Sequence, residues 1–159
     1  MPVALLLTDA GPMDHAAAAR LRADLARLAE ALSARFPIGG EVRARVVNDD
    51  EMAALHLRHS KVEGTTDVLT FDLRDEPAGP LDTDIVVCLD EARREAAPRG
   101  HSPERELLLY ILHGALHCLG FDDHTDEGFA AMHRAEDELL AAAGVGPLFH
   151  TPETAPEKP

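Results

Sequence analysis

Six residues near the C-terminal third carry the chemistry of this chain: His113, His117, Gly120, Asp122, Asp123 and His124 in the run HGALHCLGFDDH. Two histidines four apart on a helix lie on one face and can offer two imidazole nitrogens to one ion, each at about 2.0–2.1 Å for zinc. Gly120 then lets the chain double back. That return delivers a third donor, Asp123 or His124, to the same ion. The pattern predicts one catalytic divalent metal per chain, zinc by ligand type, with the fourth position open to water or substrate. Gly114 stands where helical metallopeptidases carry the glutamate base between their two histidines, so peptidase chemistry is not expected. A glycine inside a helix costs about 1 kcal/mol relative to alanine, which points to something approaching the helix closely. Glu106 and Tyr110 share the histidine face, and Glu106, two turns away, is a weak base candidate. Leu108, Leu109, Leu112, Leu116 and Leu119 fall on the other side and are expected in the core.

The elements that must hold these residues follow from pattern and punctuation. Residues 3–8 read as a strand and residues 14–35 as an amphipathic helix, with Leu21, Leu25, Leu28 and Leu32 at helical spacing. Phe36-Pro37-Ile38-Gly39-Gly40 ends that helix. Residues 41–47 alternate as a half-exposed strand. Asn48 and Glu51 open a short helix over residues 49–57. A polar loop, 59–66, leads to a strand at 67–72, and residues 74–81 read as a loop. Residues 84–89 read as a central strand buried on both sides, followed by a helix over 91–97 capped by Asp90. Ser102 and Pro103 open the histidine helix, which runs to about residue 119. A last helix spans 125–143. The order implies one α/β (α+β) domain over residues 1–146, a mixed sheet of about four strands with about five helices, and a flexible tail over 147–159.

Composition limits the alternatives. The chain has 159 residues, 45% of them apolar, enough for one domain with a real core. Its two cysteines, Cys88 and Cys118, form no metal-type pair and suit a reducing compartment. No apolar run reaches membrane-spanning length, and the N-terminal run 1–14 lacks the marks of a signal peptide, so a cytoplasmic location is expected. The formal net charge of −14 opposes nucleic-acid binding through the overall field. Arg93, Arg94 and Arg99 can form a basic edge, though a solvated helix face is the commoner role. His133 is expected at the surface and Cys118 in the core.

The run HGALHCLGFDDH resembles the signature H-G-x-L-H-x-x-G-[YF]-D-H of the YbeY-type endoribonucleases, bacterial rRNA maturation factors. Thr65-Thr66-Asp67-Val68-Leu69-Thr70-Phe71 is similar to the family's P-T-D-V-L-S-F strand, and Asp82-Thr83-Asp84-Ile85-Val86-Val87 to its L-G-D-I-V-I strand. The resemblance covers most of the chain. It implies an α/β fold, zinc held by the motif, cleavage of single-stranded RNA, and action on the rRNA precursor of the small ribosomal subunit in 16S 3′-end maturation and ribosome quality control.

Three departures qualify it. The family's third ligand comes six residues after the second histidine, where this chain has Asp123 and carries its histidine one later. Spacing favours Asp123 and ligand type favours His124. The family's N-x-x-Y-R segment is here His56-Leu57-Arg58-His59-Ser60, so Ser60 replaces an arginine, and Arg58, His59 or Lys61 must supply any phosphate-neutralising or proton-donating group. Thr65 stands for the family's proline. Two other readings fit the same residues: a metal-dependent hydrolase of a small phosphoester or amide, and a non-catalytic metal-binding ribosome assembly factor.

Overall fold

The computed structural model describes residues 2–146; the tail expected over 147–159 lies outside them. Nine elements follow in order: β1 (Val3–Asp9), α1 (His15–Arg35), β2 (Gly40–Val47), α2 (Asp49–Ser60), β3 (Val68–Asp72), β4 (Leu81–Cys88), α3 (Leu89–Arg99), α4 (Pro103–Cys118) and α5 (Asp126–Ala142). The sheet order is β1-β2-β4-β3. β1, β2 and β4 run parallel, and β3 lies antiparallel to β4 at one edge. The helical crossover after β1 forces its neighbour to be parallel, whereas β3 and β4, joined by a loop alone, fold back on each other.

Strand alternation sends side chains to two unequal faces. Leu5 and Leu7 of β1, Val42, Ala44 and Val46 of β2, and Ile85 and Val87 of β4 join Leu21, Leu25, Leu28 and Leu32 of α1 in the main core. α4 lies in this layer and is buried almost all round, from Leu107 through Leu112 and again at Ala115 and Leu116. A helix buried this widely belongs inside a domain. Shortening one of its buried leucines, as in Leu112→Ala, would cost about 2–5 kcal/mol. On the other face Val47, Val86 and Cys88 meet Met52 and Leu55 of α2, with Leu69 and Phe71 of β3, in a smaller cluster.

Cap chemistry set most boundaries. Asp14, Asn48, Ser102 and Thr125 each accept a backbone N–H of the helix that follows. Three boundaries depart most from expectation, the first being the end of α2, at Ser60 rather than 57. β4 starts at Leu81, because β2 offers a partner for its whole length, from Gly40 paired with Leu81 to Val47 paired with Cys88. α3 begins at Leu89 directly after the strand, so Asp90 lies in its first turn. The Asp90 carboxylate instead accepts the backbone N–H of Asp49, 2.8 Å away at the start of α2.

Candidate metal centre

α4 packs against the β3–β4 edge with unusual closeness at Gly114. A Cβ there would stand 2.5 Å from Thr70 Oγ1 and 2.8 Å from Ile85 Cδ1. The glycine lets the helix sit down on the two strands and holds His113 and His117 beside them. At the helix end, Arg74 reaches in from the β3–β4 loop. Its side chain is 6% exposed, and it donates to the Cys118 carbonyl at 2.5 Å and to Pro77 at 2.8 Å while pairing with Asp72. A cation on the last carbonyls suits the helix dipole. Gly120 follows at φ +101°, a backbone angle that favours glycine, and the chain turns back.

The turn fixes His117. Phe121 donates its N–H to the Leu116 carbonyl, and its own carbonyl lies 3.1 Å from His117 Nδ1. A carbonyl can only accept, so His117 donates from Nδ1 and turns Nε2 the other way. His113 Nδ1 lies 2.8 Å from Oε2 of Glu136, a fully buried carboxylate on α5. Burial pushes the Glu136 carboxyl up. It also works against a charged His113, but the hydrogen bond and charge of Glu136, with Asp123 and Asp67 nearby, hold that imidazole above its usual value.

The two Nε2 atoms therefore face each other, 3.1 Å apart. A proton on one of them makes this a hydrogen bond, and with both deprotonated a metal ion can take the proton's place. Two nitrogens bound tetrahedrally to one zinc lie roughly 3.3–3.4 Å apart. The Asp123 carboxylate completes the group, 3.5 Å from His113 Nε2 and 3.9 Å from His117 Nε2. The three residues form a group that could hold a metal ion. Two neutral imidazoles and one carboxylate are a donor set that zinc accepts with a fourth position open. The three side chains are 24–34% exposed, so the site reaches solvent. A carboxylate on the far nitrogen of a ligating histidine fixes its orientation and raises its basicity.

His124 is not brought to this group. Its ring turns out to Asp122, and its side chain is 83% exposed. Nor does the structure bring His59 there. Thr70 faces α4, so Phe71 points to the other side of the sheet, and His59 packs edge-on against it at 4.9 Å. Arg58 and Lys61 are exposed at the end of α2. Arg94 binds Asp49 and Glu91, and Arg99 binds Glu106, so these guanidiniums are spent on internal ion pairs rather than on a basic edge. His133 is buried, contrary to its expected surface position, because Phe129 covers it at 4.0 Å and Glu136 lies beside it.

Glu136 and Arg74 escaped the sequence reading. Glu136 had a signal: with Met132, Leu139 and Leu140 it keeps helical spacing on the buried stripe of α5. A carboxylate on such a stripe needs a partner. Arg74 had none, since its role depends on where a loop lands.

The profile of the family described as Endoribonuclease YbeY matches residues 12–144. A relative of that name from Frankia alni is 39% identical over 114 residues, 64% of this chain and 62% of the relative, so the match spans less than two thirds of that protein. One from Anaeromyxobacter is 36% identical over 87% of this chain and 71% of its own, and one from Moorella thermoacetica 34% identical over 83% and 92%. The solution structure of TM1509 from Thermotoga maritima superposes with a TM-score of 0.58 at 23% identity, covering 96% of this chain and 98% of that one, which shows a shared fold.

Proposed function

This chain belongs to the Endoribonuclease YbeY family, and on that premise we propose that it is a zinc-dependent endoribonuclease that cuts single-stranded RNA. The observation that carries the reading is the convergence of His113 Nε2, His117 Nε2 and Asp123, with each Nδ1 already engaged. A zinc ion held there supplies Lewis-acid polarisation of a phosphoryl oxygen and lowers the pKa of water to about 7. The chain's own residues orient the reaction. Glu136 and the Phe121 carbonyl lock the two rings so that both lone pairs point into the site. Arg74 and Gly120 hold the turn that carries Asp123. Asp122 keeps His124 at the solvent side of the same turn, where its ring can meet substrate or a leaving group.

The substrate we propose is the precursor of small-subunit rRNA, within 16S 3′-end maturation and ribosome quality control in the cytoplasm. The family resemblance supports the RNA. Among the described residues no helix is long and apolar enough to cross a membrane. The charge of −14 supports reliance on the ribosomal particle for affinity, since few phosphates can be neutralised by the protein alone. Zinc-loaded protein should cleave labelled single-stranded RNA slowly, duplex more weakly, and immature small subunits best. The His117→Ala protein should do none of these. Equal cleavage by both proteins would assign the activity to a contaminant. No cleavage of free RNA or particles by either would favour a metal-binding assembly factor.

A further inference from the structure

A line of contacts runs along α5 from the metal group out to solvent. Oε2 of Glu136 lies 2.8 Å from His113 Nδ1, and the other oxygen of the same carboxylate lies 3.9 Å from Nδ1 of His133. The buried His133 ring lies against Phe129, with the ring centres 4.0 Å apart and the planes at 41°. Phe129, His133 and Glu136 are spaced by four and three residues, so they share one stripe of the helix and span about 10 Å along its axis. The line begins at a metal ligand and ends on a phenyl ring.

That ring is open. Phe129 is 50% exposed, whereas Phe36, Phe71 and Phe121 are partly buried and Tyr110 is buried. Phe36 packs on Phe121, and Phe71 packs on His59. His133 covers Phe129 on one side, which steadies the ring and leaves its other side to solvent. A side chain with only two torsions loses little entropy when a flat ligand settles on it. The place of the ring is fixed as well. Gly128 seats the start of α5 against the turn that carries Asp123, for a Cβ there would run into the Asp122 carbonyl oxygen. Phe129 therefore stands beside the ligand-bearing turn.

We propose that Phe129, backed by His133, is a stacking platform for one nucleobase of the single-stranded RNA whose backbone meets the metal group. The proposal rests on the nuclease reading of that group. A net charge of −14 leaves few cations to neutralise phosphates, and Asp122, Asp126 and Glu127 beside the ring would repel them. A base needs no protein charge: every base has a π-face, and stacking on an aromatic ring is tolerant of sequence. The strand would then lie with a base towards α5 and its backbone towards the metal group, away from these carboxylates. The same contact selects single strands, because a base inside a duplex is stacked on both faces and has none to offer.

Zinc-loaded wild type, Phe129→Leu and Phe129→Trp are titrated by anisotropy with fluorescein-labelled 2′-O-methyl RNA, and with the same strand lacking one base at a time. Leucine keeps apolar bulk and removes the π-face. Phe129→Leu should bind about tenfold more weakly, the scale of one lost base stack. Its ratio to wild type should hold between about 50 and 200 mM salt, because stacking releases no counterions. Phe129→Trp should bind at least as well as wild type. One abasic position should cost wild type about tenfold and cost Phe129→Leu almost nothing, since the same contact is already gone. Zinc content should be equal in all three proteins. Equal affinity of wild type and Phe129→Leu, or abasic losses that match in the two at every position, would overturn the platform; cleavage of RNA by wild type would leave the nuclease reading standing. Loss of zinc from Phe129→Leu, or weak binding by Phe129→Trp, would also overturn it and make the ring a packing group over His133. A wild type that neither binds nor cleaves RNA would remove the nuclease reading and the platform together.

Discussion

Asp49, Cys88 and Asp90, where α2, β4 and α3 meet, bring three donor atoms within 4.8 Å of one another, and so do His113, His117 and Asp123. Distance alone does not separate them. Their other bonds do. Arg94 donates to both oxygens of Asp49 at 2.8 and 2.9 Å and holds that carboxyl down at about 2. Asp90 is bound to a backbone N–H of α2, and burial pushes the Cys88 thiol up, so it stays protonated. That cluster is a satisfied hydrogen-bonded joint between two helices and the sheet. In the histidine group the remaining bonds fall on the opposite nitrogens and turn both lone pairs inward. A metal centre is therefore marked by where the second bonds of its ligands go, and proximity is only its first condition.

Substitutions can break or sharpen this contrast. The largest effect should come at the third ligand. Asp123→Ala is expected to weaken zinc binding by more than about 100-fold, beyond the range seen for outer partners, whereas His124→Ala should leave it nearly unchanged. Competition with a chelating dye measures both, and the reverse ranking would show the turn rearranging to present His124. Next comes Glu136→Gln, expected to weaken zinc about 10–100-fold through loss of the carboxylate behind His113. Unchanged affinity would make Glu136 a packing residue only.

Much of this was legible in the chain itself. The four-residue spacing and the turn glycine give the histidine face, and the same period places Glu106, Tyr110 and His113 along it, where all three line one pocket. The helix caps read directly from Asn48, Ser102 and Pro103. The choice between Asp123 and His124 did not, since one residue in a tight turn reverses which side chain points inward. His59 misled for a related reason. Its helix is adjacent in sequence to β3, but only the strand's alternation decides that Phe71 and His59 lie across the sheet from Thr70 and α4.

Smaller effects test the supports of each cluster. Gly114→Ala gains about 1 kcal/mol of helix propensity but must displace Thr70 and Ile85, at a strain of about 1–3 kcal/mol. A net destabilisation of about 0–2 kcal/mol is expected in urea unfolding, with weakened zinc binding; a stabilised protein would show that the close approach is slack. The smallest effect is at Asp49. Its carboxyl is depressed from 3.8 to about 2 in the fold, so it stabilises the protein above the unfolded value and loses that contribution as pH falls towards 2. The stability gap between wild type and Asp49→Asn should therefore close between pH 4 and 2. It should stay under about 1 kcal/mol, because Arg94 is half-exposed and the pair is screened. A gap that widens on acidification would contradict the ion-pair account.

The most direct test compares the two clusters by metal content. Zinc per chain is measured by atomic spectroscopy after dialysis against a weak chelator, for wild type, His117→Ala and Cys88→Ala. The account predicts about one zinc in wild type and in Cys88→Ala, from a single three-ligand site, and essentially none in His117→Ala. Zinc retained by His117→Ala and lost from Cys88→Ala would contradict it.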